Sequence, residues 1–405
     1  MAEAHSRDKR IVVIGTGYVG LPAALLLAKA GYEVVGVDID ENIVRAINDG
    51  VLLIEEEKLD ELMAEPGVRA NLSAQGTPCE ADVFIIAVPT PLDERKKVAD
   101  LSYVEDAVES TLPFLKAGDL IILESTVPPL TCRELITPMI EESTALKVGV
   151  DISLAHCPER ILPGDVFYEI IHNDRIIGAV DEKTRKMAAE IYKSFVVGEL
   201  LLTDDVTAEL AKLMENTYRD VNVALANEFN AVADTLGIDG REVIALANKH
   251  PRVDILQPGI GVGGHCIPID PWFIKEVDPA HSRLIFTARV VNDEMPHKIA
   301  ARIRRAVREI PLPRIVALGA SYKPNTEDTR ESPAIEIVEL LRADGFQVEH
   351  YDPLAKGYAY PSLVEVTRDA DCLALLVEHD VVMAEWAAHR EEIERGMRHP
   401  VVLRF

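Results

Sequence analysis

The sequence has no uninterrupted apolar run of about 18 residues, the length that a membrane-spanning helix requires. The first ten residues carry charge and contain no apolar segment, so they predict a short polar lead-in rather than a signal peptide. We therefore expect a cytoplasmic protein with no membrane partner.

Cysteine is scarce. There are 5 in 405 residues, an odd number without any C-x-x-C spacing. This pattern argues against a disulfide framework and against a zinc site, and we expect no metal. At least one thiol can still serve chemistry. The candidates are Cys79, Cys132, Cys157, Cys266 and Cys372.

Positive charge is also in short supply, with 42 Lys and Arg against 68 Asp and Glu, for a formal net charge of −26. Phosphate backbones are bound by basic surfaces, so this balance argues against a nucleic-acid partner. The simplest interpretation is a solvated acidic surface. A high-salt cytoplasm is a second interpretation, and the charge count alone does not distinguish the two. Hydrophobic residues make up 48% of the chain, as in a globular enzyme.

The first 200 residues alternate short β-branched runs with helical patterns, which predicts a doubly wound α/β domain with a parallel sheet. Its strands are expected at residues 10–14, 33–38, 82–88, 119–124, 152–156, 174–178 and 199–203.

A long helix is predicted from 204 to about 237, beginning at the capping run Thr203-Asp204-Asp205. A loop rich in glycine and proline follows at 250–270, and then more helix to about 310. A second α/β pattern has strands expected at 315–319, 347–351, 372–377 and 401–405. The fold class is therefore α/β, with two Rossmann-like doubly wound domains joined by a long helix and a central all-helical dimerisation region. The predicted domains are 1–203, 204–310 and 311–405.

A G-x-G-x-x-G motif lies directly between the first strand and the first helix, where glycines let a backbone approach a pyrophosphate closely. The second strand ends at Asp38, where a carboxylate can accept from the ribose hydroxyls and would repel a 2′-phosphate. This context predicts NAD rather than NADP, although the glycines could serve chain packing alone. The loop residues assigned to the cofactor are Gly15, Gly17, Tyr18, Val19 and Gly20.

A second glycine-rich loop, 259–264, leads to Cys266. Such a loop can bring a backbone and a thiol close to a ligand, yet a single cysteine is more often an inert buried residue. Asp270 before Pro271 likewise fits an ordinary helix N-cap, with proline at the first helical position.

Seven ordered motifs resemble the UDP-glucose/GDP-mannose dehydrogenase family over nearly the whole chain. They are GTGYVG (15–20), VPTP (88–91), ESTVPP (124–129), CPER (157–160), KLMENTYRDVNVALANE (212–228), GVGGHCIPIDPW (261–272) and YKPNTEDTRESP (322–333). The resemblance implies an NAD-dependent enzyme that takes a sugar primary alcohol to a carboxylate through a thiohemiacetal and a thioester on one cysteine. It also implies that the domain at 1–203 binds NAD and the domain at 311–405 binds UDP.

The resemblance assigns roles residue by residue. Cys266 is the nucleophile, Glu159 a general acid or base, and Lys212 with Asn216 the stabilisers of oxyanion charge. For Lys212 the ordinary alternative is a surface ion pair with Glu209 or Glu215. The remaining assignments are catalytic roles for Asp270 and Thr126, cofactor contacts for Thr90, Thr126 and Arg330, and substrate contacts for Glu159, Arg160, Lys212, Asn216, Arg252, Gly263, His265 and Lys323.

The motifs are most similar to the branch that oxidises UDP-N-acetyl-D-mannosamine. UDP-glucose enzymes carry a second glutamate where this chain has Pro163. The family's Arg252 equivalent enters the partner subunit's pocket, so a homodimer or higher homo-oligomer is expected. UDP-N-acetylglucosamine, UDP-glucose and GDP-mannose stay open as substrates. Two other classes stay open as well, a β-hydroxyacid-type dehydrogenase and a non-catalytic nucleotide-sugar sensor.

Overall fold

A computed structural model describes residues 8–53, 57–160 and 166–405 of the chain. It contains two compact units, the first formed by Met1–Met214 with Trp272–Val277 and the second by Glu215–Pro271 with Asp278–Phe405. Within the described ranges, no helix is long and apolar enough to cross a bilayer. Pro163 lies outside the described residues.

The first unit is a large sheet flanked by helices. Its strands are β1 (Arg10–Ile14), β2 (Glu33–Val37), β3 (Leu72–Gln75), β4 (Val83–Ile86), β5 (Leu92–Asp93), β6 (Val98–Ala99), β7 (Leu120–Leu123), β8 (Ser153–His156), β9 (Arg175–Ala179) and β10 (Leu200–Thr203). Its helices are α1 (Gly20–Lys29), α2 (Glu41–Asp49), α3 (Glu57–Met63), α4 (Pro66–Asn71), α5 (Ser102–Thr111), α6 (Thr137–Ser143), α7 (Val166–His172) and α8 (Glu182–Tyr192), with a 3₁₀ turn at Leu112–Phe114 and a π-helix at Thr131–Ile136.

Strand β1 shows why this sheet must be covered on both sides. Ile11 and Val13 face one hydrophobic core, whereas Val12 and Ile14 face another. Because successive strand residues point to opposite faces, a continuous apolar run is buried only when helices cover both faces. The doubly wound architecture predicted for this unit is confirmed.

The strand order is β10-β9-β8-β7-β4-β1-β2-β3, and β5 pairs with β6 in a separate antiparallel hairpin. Six strands, from β8 through to β3, run parallel, but β9 pairs with β8 in the antiparallel direction and β10 follows β9. The expectation of a wholly parallel sheet was therefore wrong for its last two strands. The alternation of apolar residues is the same in either direction, so the pattern at 174–178 did not reveal the reversal.

The long helix is α9 (Asp205–Leu236), which agrees with the predicted 204–237. It begins where expected, because the Asp204 side chain accepts a hydrogen bond from the Thr207 amide at 3.1 Å. The helix runs from the first unit into the second.

The second unit continues with α10 (Gly240–Ala247), α12 (Arg283–Asp293), α13 (Met295–Val307), α14 (Pro333–Ala343), α15 (Leu363–Thr367) and α16 (Asp380–Gly396), while α11 (Asp270–Val277) begins in the second unit and ends in the first. Its strands are β11 (Arg314–Leu318), β12 (Gln347–Tyr351), β13 (Cys372–Leu375) and β14 (Val401–Arg404).

These four strands form one parallel sheet in the order β12-β11-β13-β14. Ile315 and Ala317 face one core and Val316 and Leu318 the other, so this sheet is also covered on both faces. Helix α10 was not among the expected elements. The division into domains at 203 and 310 stays a prediction.

Candidate functional site

The G-x-G-x-x-G loop turns between β1 and α1 in the manner its glycines predict. Gly15 has φ +87°, and a Cβ there would lie 2.6 Å from the Ala87 carbonyl oxygen. A Cβ at Gly20 would meet the Gly15 oxygen at 2.0 Å. Nothing lies within 4 Å of a Cβ built at Gly17, so the backbone is open there. The loop therefore fits a pyrophosphate at the uncapped amino end of α1.

Asp38 follows β2 and is held by the same loop. One carboxylate oxygen accepts from both the amide and the hydroxyl of Thr16, each at 3.0 Å, and the other accepts from the Asp40 amide at 3.0 Å. These donors fix the carboxylate beside the glycine loop. The remaining lone pairs of the carboxylate can accept hydrogen bonds from ribose hydroxyls. This fits a dinucleotide with a free 2′-hydroxyl.

Two other residues assigned to the cofactor are in contact. Thr90 follows β4 and Thr126 follows β7, and the Thr90 hydroxyl donates to the Thr126 carbonyl at 2.6 Å. Strands β4 and β7 are parallel neighbours, so the residues after them meet at one edge of the sheet.

Glu159 lies beyond the end of β8, and its side chain is only 7% exposed. One carboxylate oxygen accepts from the Arg160 amide at 2.7 Å, and the other accepts from the Arg175 guanidinium. The Arg160 guanidinium donates to the Asp174 carbonyl. Arg175 was not among the predicted site residues.

Lys212 lies on α9 and is 6% exposed, so a solvated surface ion pair does not describe it. The carboxylate of Glu209, one turn earlier, accepts from the amides of Leu130 and Cys132 at 2.7 and 2.9 Å. Burial raises the pKa of Glu209 to about 7. Glu209 thus ties the helix that carries Lys212 to the loop that follows Thr126.

In the second unit the glycine loop 259–264 packs on the loop 322–333. A Cβ at Gly263 would lie 2.3 Å from the Glu331 oxygen, and one at Gly264 would meet the Tyr322 ring at 3.1 Å. The Gly264 amide donates to the Arg330 carbonyl at 3.2 Å. The glycines in this motif therefore serve close packing between two chain segments. This explains their presence without excluding a ligand.

Cys266 stands at the end of that loop and is the one exposed cysteine of the five, all of which lie in the described residues. Its carbonyl accepts from the Ile269 and Asp270 amides at 3.1 and 2.9 Å, which fixes the turn into α11. Burial raises the pKa of the Cys132 and Cys157 thiols, and that of Cys372 to about 12. Only a thiolate is a good nucleophile, so exposure favours Cys266.

Asn216 and Asp270 are brought together, because the Asn216 amide nitrogen donates to the Asp270 carboxylate at 2.6 Å. Asp270 is 3% exposed and is the first residue of α11, rather than the residue before it. Its carboxylate fixes the orientation of the Asn216 side chain. Helix capping alone does not account for this contact.

His265 and Arg330 are neighbours, with 3.5 Å between His265 Nδ1 and Arg330 Nη1. Burial and the adjacent guanidinium lower the pKa of His265. Arg330 donates to both oxygens of Asp328, at 2.8 and 2.6 Å. Lys323 lies on the same loop, with its ammonium 5.7 Å from the centre of the Tyr322 ring. The Arg252 side chain is exposed.

Sequence reasoning missed the residues that hold these groups in place. Asn227 accepts from the Gly259 amide at 2.9 Å and so anchors the start of the glycine loop 259–264, and Asp328 orients Arg330. Both lie inside the quoted motifs, KLMENTYRDVNVALANE and YKPNTEDTRESP, which is the signal that could have revealed them.

Comparison with known proteins decides the family. Sequence models of the NAD binding domain, the central domain and the UDP binding domain of one family match residues 9–196, 206–294 and 316–404. The chain belongs to the UDP-glucose/GDP-mannose dehydrogenase family. It is therefore an NAD-dependent dehydrogenase, as predicted, and the β-hydroxyacid-type alternative is set aside.

Members of this family with substantial identity include two curated relatives and a solved structure. The UDP-N-acetyl-D-mannosamine dehydrogenase of Methanocaldococcus jannaschii is 48% identical over 93% of this chain and 87% of its own length. The NDP-N-acetyl-D-galactosaminuronic acid dehydrogenase of Ralstonia nicotianae is 47% identical over 82% and 80%. The structure of the UDP-D-ManNAc dehydrogenase from Pyrococcus horikoshii is 41% identical, with a TM-score of 0.90 over 98% and 94%.

Proposed function

We propose that this dehydrogenase oxidises the C6 primary alcohol of UDP-N-acetyl-D-mannosamine to the carboxylate, with two NAD molecules reduced for each sugar. The single observation that carries the mechanism is the exposed Cys266 at the end of a loop packed on the 322–333 segment of the UDP binding domain. The product would be a UDP-uronate suited to cytoplasmic polysaccharide biosynthesis.

NAD, when bound, accepts a hydride at each of the two oxidations. Gly15, Gly17 and Gly20 would lie against its pyrophosphate, with Tyr18 and Val19 beside them, and Asp38 would accept from the adenosine ribose. The joined pair Thr90 and Thr126 would line the cofactor site at the carboxyl ends of β4 and β7. Arg330 is assigned to the cofactor by its motif.

Cys266 makes a four-electron oxidation possible without releasing an aldehyde. Loss of hydride from C6 and of the hydroxyl proton gives the aldehyde, and the Cys266 thiolate then forms a C–S bond to it. The thiohemiacetal loses a second hydride to become a thioester. Water attacks the thioester, the C–S bond breaks, and the carboxylate leaves while the thiolate is restored.

Lys212 and Asn216 would stabilise the negative oxygen of the thiohemiacetal, since a buried cation and an oriented amide N–H are matched to developing charge. Asp270 holds the amide of Asn216 in that orientation. Glu159 would exchange protons with the sugar hydroxyl and with the hydrolytic water, and Thr126 would help to position that water. These roles rest on the family motifs together with the burial of Lys212, Glu159 and Asp270.

The sugar assignment rests on the CPER and GVGGHCIPIDPW motifs. Arg160, Gly263 and His265 would contact the sugar or its N-acetyl group, and Lys323 would bind the nucleotide side. A neutral His265 can donate or accept a hydrogen bond to an acetamido group. A nucleotide sugar of the N-acetyl-D-galactosaminuronic acid type is the second candidate, because the Ralstonia relative has almost the same identity as the archaeal one.

A homodimer is proposed on the exposed apolar side chains of α9 in the second unit. Tyr218, Leu225, Phe229, Val232 and Leu236 recur at spacings of seven, four, three and four residues, and each is at least 40% exposed. A row of large apolar side chains at helical spacing on one surface favours association. Arg252 would then contribute to the partner subunit's nucleotide-sugar pocket.

A substrate panel with NADH stoichiometry tests this function. We expect UDP-N-acetyl-D-mannosamine to give two NADH per molecule and the highest kcat/KM among the UDP-hexoses. Faster turnover of UDP-glucose than of every acetamido sugar would contradict the substrate while leaving the family intact.

The Cys266→Ser variant tests the mechanism. It should bind NAD and the nucleotide sugar nearly as the native chain does but lose several orders of magnitude in overall rate, because an alcohol of high pKa replaces the thiolate. Intact-mass analysis should show a sugar adduct on the native chain during turnover. Cys372→Ser, at a buried thiol, is the matched control and should keep two NADH per sugar. If Cys266→Ser also yields two NADH at near native rate, the covalent route is wrong.

A further inference from the structure

Four side chains form a buried group in the first unit, namely Glu159, Glu124, Arg175 and Tyr192. Glu124 follows β7, Arg175 begins β9, and Tyr192 ends α8. The reversal of β9 explains how these residues meet. His156 pairs with Gly178 in the antiparallel register, and continuing that register places residue 159 opposite residue 175. A parallel β9 would have carried Arg175 to the other end of the sheet.

Arg175 bridges two carboxylates with the two terminal nitrogens of its guanidinium. Nη2 donates to Glu159 and Nη1 donates to Glu124 Oε1 at 3.2 Å. The Tyr192 hydroxyl donates to the same Glu124 oxygen at 2.6 Å, and its ring lies 4.3 Å from the guanidinium. The side chains of Arg175, Glu159 and Glu124 are 4%, 7% and 0% exposed. A rigid, planar, bidentate bridge of this kind fixes the orientation of both acids.

The charges in this cluster do not balance when both acids are ionised, because two carboxylates face one guanidinium. Among the described residues, Glu124 Oε2 has no hydrogen-bond partner although it is buried. Burial, opposed by Arg175 and reinforced by Glu159, raises the pKa of Glu124 to about 7. In the described part of the chain, two further titratable groups face the cluster. Burial raises the pKa of the Cys157 thiol and that of the Tyr192 hydroxyl. Glu124 is thus the acid that takes up the proton.

We propose that Arg175 is a positioning residue for Glu159, and that Glu124 regulates the charge of Glu159 by competing for the shared guanidinium. This rests on the proposed role of Glu159 as a general acid and base. When Glu124 is protonated, Arg175 is left to the Glu159 carboxylate and favours its ionised form. When Glu124 is ionised, its charge disfavours a second negative charge across the bridge. Arg175 therefore fixes the orientation of Glu159, and the charge of Glu124 determines how strongly the bridge favours a charged Glu159.

Two substitutions separate the charge of Glu124 from the position of Glu159. Glu124→Gln keeps an oxygen acceptor for Tyr192 and Arg175 but cannot ionise, so the change in kcat that the native chain shows around pH 7 should be absent in this variant. Arg175→Lys keeps a positive charge but loses the planar bridge, so kcat should fall by about tenfold or more. KM for NAD should stay within about twofold in both variants, since neither residue belongs to the glycine loop.

The matched control is Lys116→Met. Lys116 pairs with the buried Asp119 at 2.9 Å at the other end of β7, so its loss removes an ion pair of the same sheet far along the strand from Glu124. This variant should leave the pH profile unchanged. If Glu124→Gln and Arg175→Lys give the same profile as Lys116→Met, the proposal is wrong.

A measurement without turnover separates this proposal from the proposed function. Carbon-13 NMR of the side-chain carboxyl groups in the cofactor-free protein, with the Glu124 signal assigned by its loss in Glu124→Gln, gives the titration midpoint of Glu124 directly. The midpoint should lie at about pH 7 in the native chain and fall in Glu159→Gln, because the charge of Glu159 across the bridge is then absent. If the chain oxidises no UDP-sugar, the proposed function is wrong, but this titration still tests the link between the two acids. An unmoved midpoint in Glu159→Gln overturns the link, even if Arg175→Lys does not fold.

Discussion

Replacing Asp38 should change both the affinity for NAD and the choice between NAD and NADP. The carboxylate is fixed by the Thr16 amide and hydroxyl and by the Asp40 amide, all at 3.0 Å, so it meets a ribose without reorganising. Asp38→Ala removes two charge-assisted acceptors for the ribose hydroxyls. At about 1 to 2 kcal/mol lost for each, Kd for NAD should rise by about 30- to 1000-fold.

The effect on NADP has the opposite sign. A carboxylate about 4 Å from a phosphate charge is repelled by about 1 to 4 kcal/mol, depending on how well water screens the pair. Removing Asp38 relieves that repulsion, so binding of NADP should improve by about tenfold. The ratio of the two Kd values should therefore change by at least about 100-fold.

Titration calorimetry with both dinucleotides measures these changes directly. Asp38→Asn is the matched variant, because it keeps an oxygen acceptor for Thr16 and removes only the charge. It should fall between the native chain and Asp38→Ala for NAD. Equal Kd values for NAD in the native chain and in Asp38→Ala, with both folded by circular dichroism, would refute the assignment of Asp38 to the ribose.

Three further outcomes are expected. Phe229→Glu should convert the proposed dimer to a monomer in sedimentation velocity, since it would place a charge in the apolar row of α9. Leu312→Glu should not, because Leu312 is 90% exposed and lies outside that row. Mixing equal amounts of Arg252→Ala and Cys266→Ser chains should restore about a quarter of the native rate, because half of the dimers then hold one intact site. A mixture as inactive as its parts would show that Arg252 serves its own subunit. The pKa of Glu124 is raised in the folded chain, so its ionisation costs stability as pH rises from about 4.5 to about 7, by a few kcal/mol at most. Between pH 5 and pH 8, the Tm of the Glu124→Gln variant should consequently fall by less than the Tm of the native chain.

The folds of both units followed from apolar periodicity, because strands buried on both faces must carry continuous apolar runs. The prediction failed where the pattern carries no direction, as in β9, and it also left out the short helix α10 between the long helix and the 250–270 loop. Strand β3 was also missed. Its sequence Leu72-Ser-Ala-Gln75 has one buried residue, so an edge strand of this kind has little apolar signal to detect.

For the candidate site too, the sequence predicted some of the residues and missed others. The motifs predicted which residues carry chemistry, because a glycine loop, a strand-end acid and a loop cysteine each have a recognisable local spacing. They did not predict the residues that support them, since those contacts join positions far apart in the chain. Arg175 meets Glu124 across 51 residues and Asn216 meets Asp270 across 54, and no local spacing encodes such pairs.

The cysteines show what burial adds to a motif. Cys157 directly precedes Pro158 and Glu159, whereas Cys266 follows a glycine-rich loop. In the fold Cys157 is wholly buried, and this burial is the main cause that raises the pKa of its thiol. Cys266 is exposed at the end of a loop whose glycines are fixed by packing. Reactivity of a thiol requires access and a stabilised anion together, and Cys157 lacks both. The same burial encloses Glu124, Arg175 and Glu159, so one buried region disfavours the Cys157 thiolate and holds the Glu159 carboxylate in position.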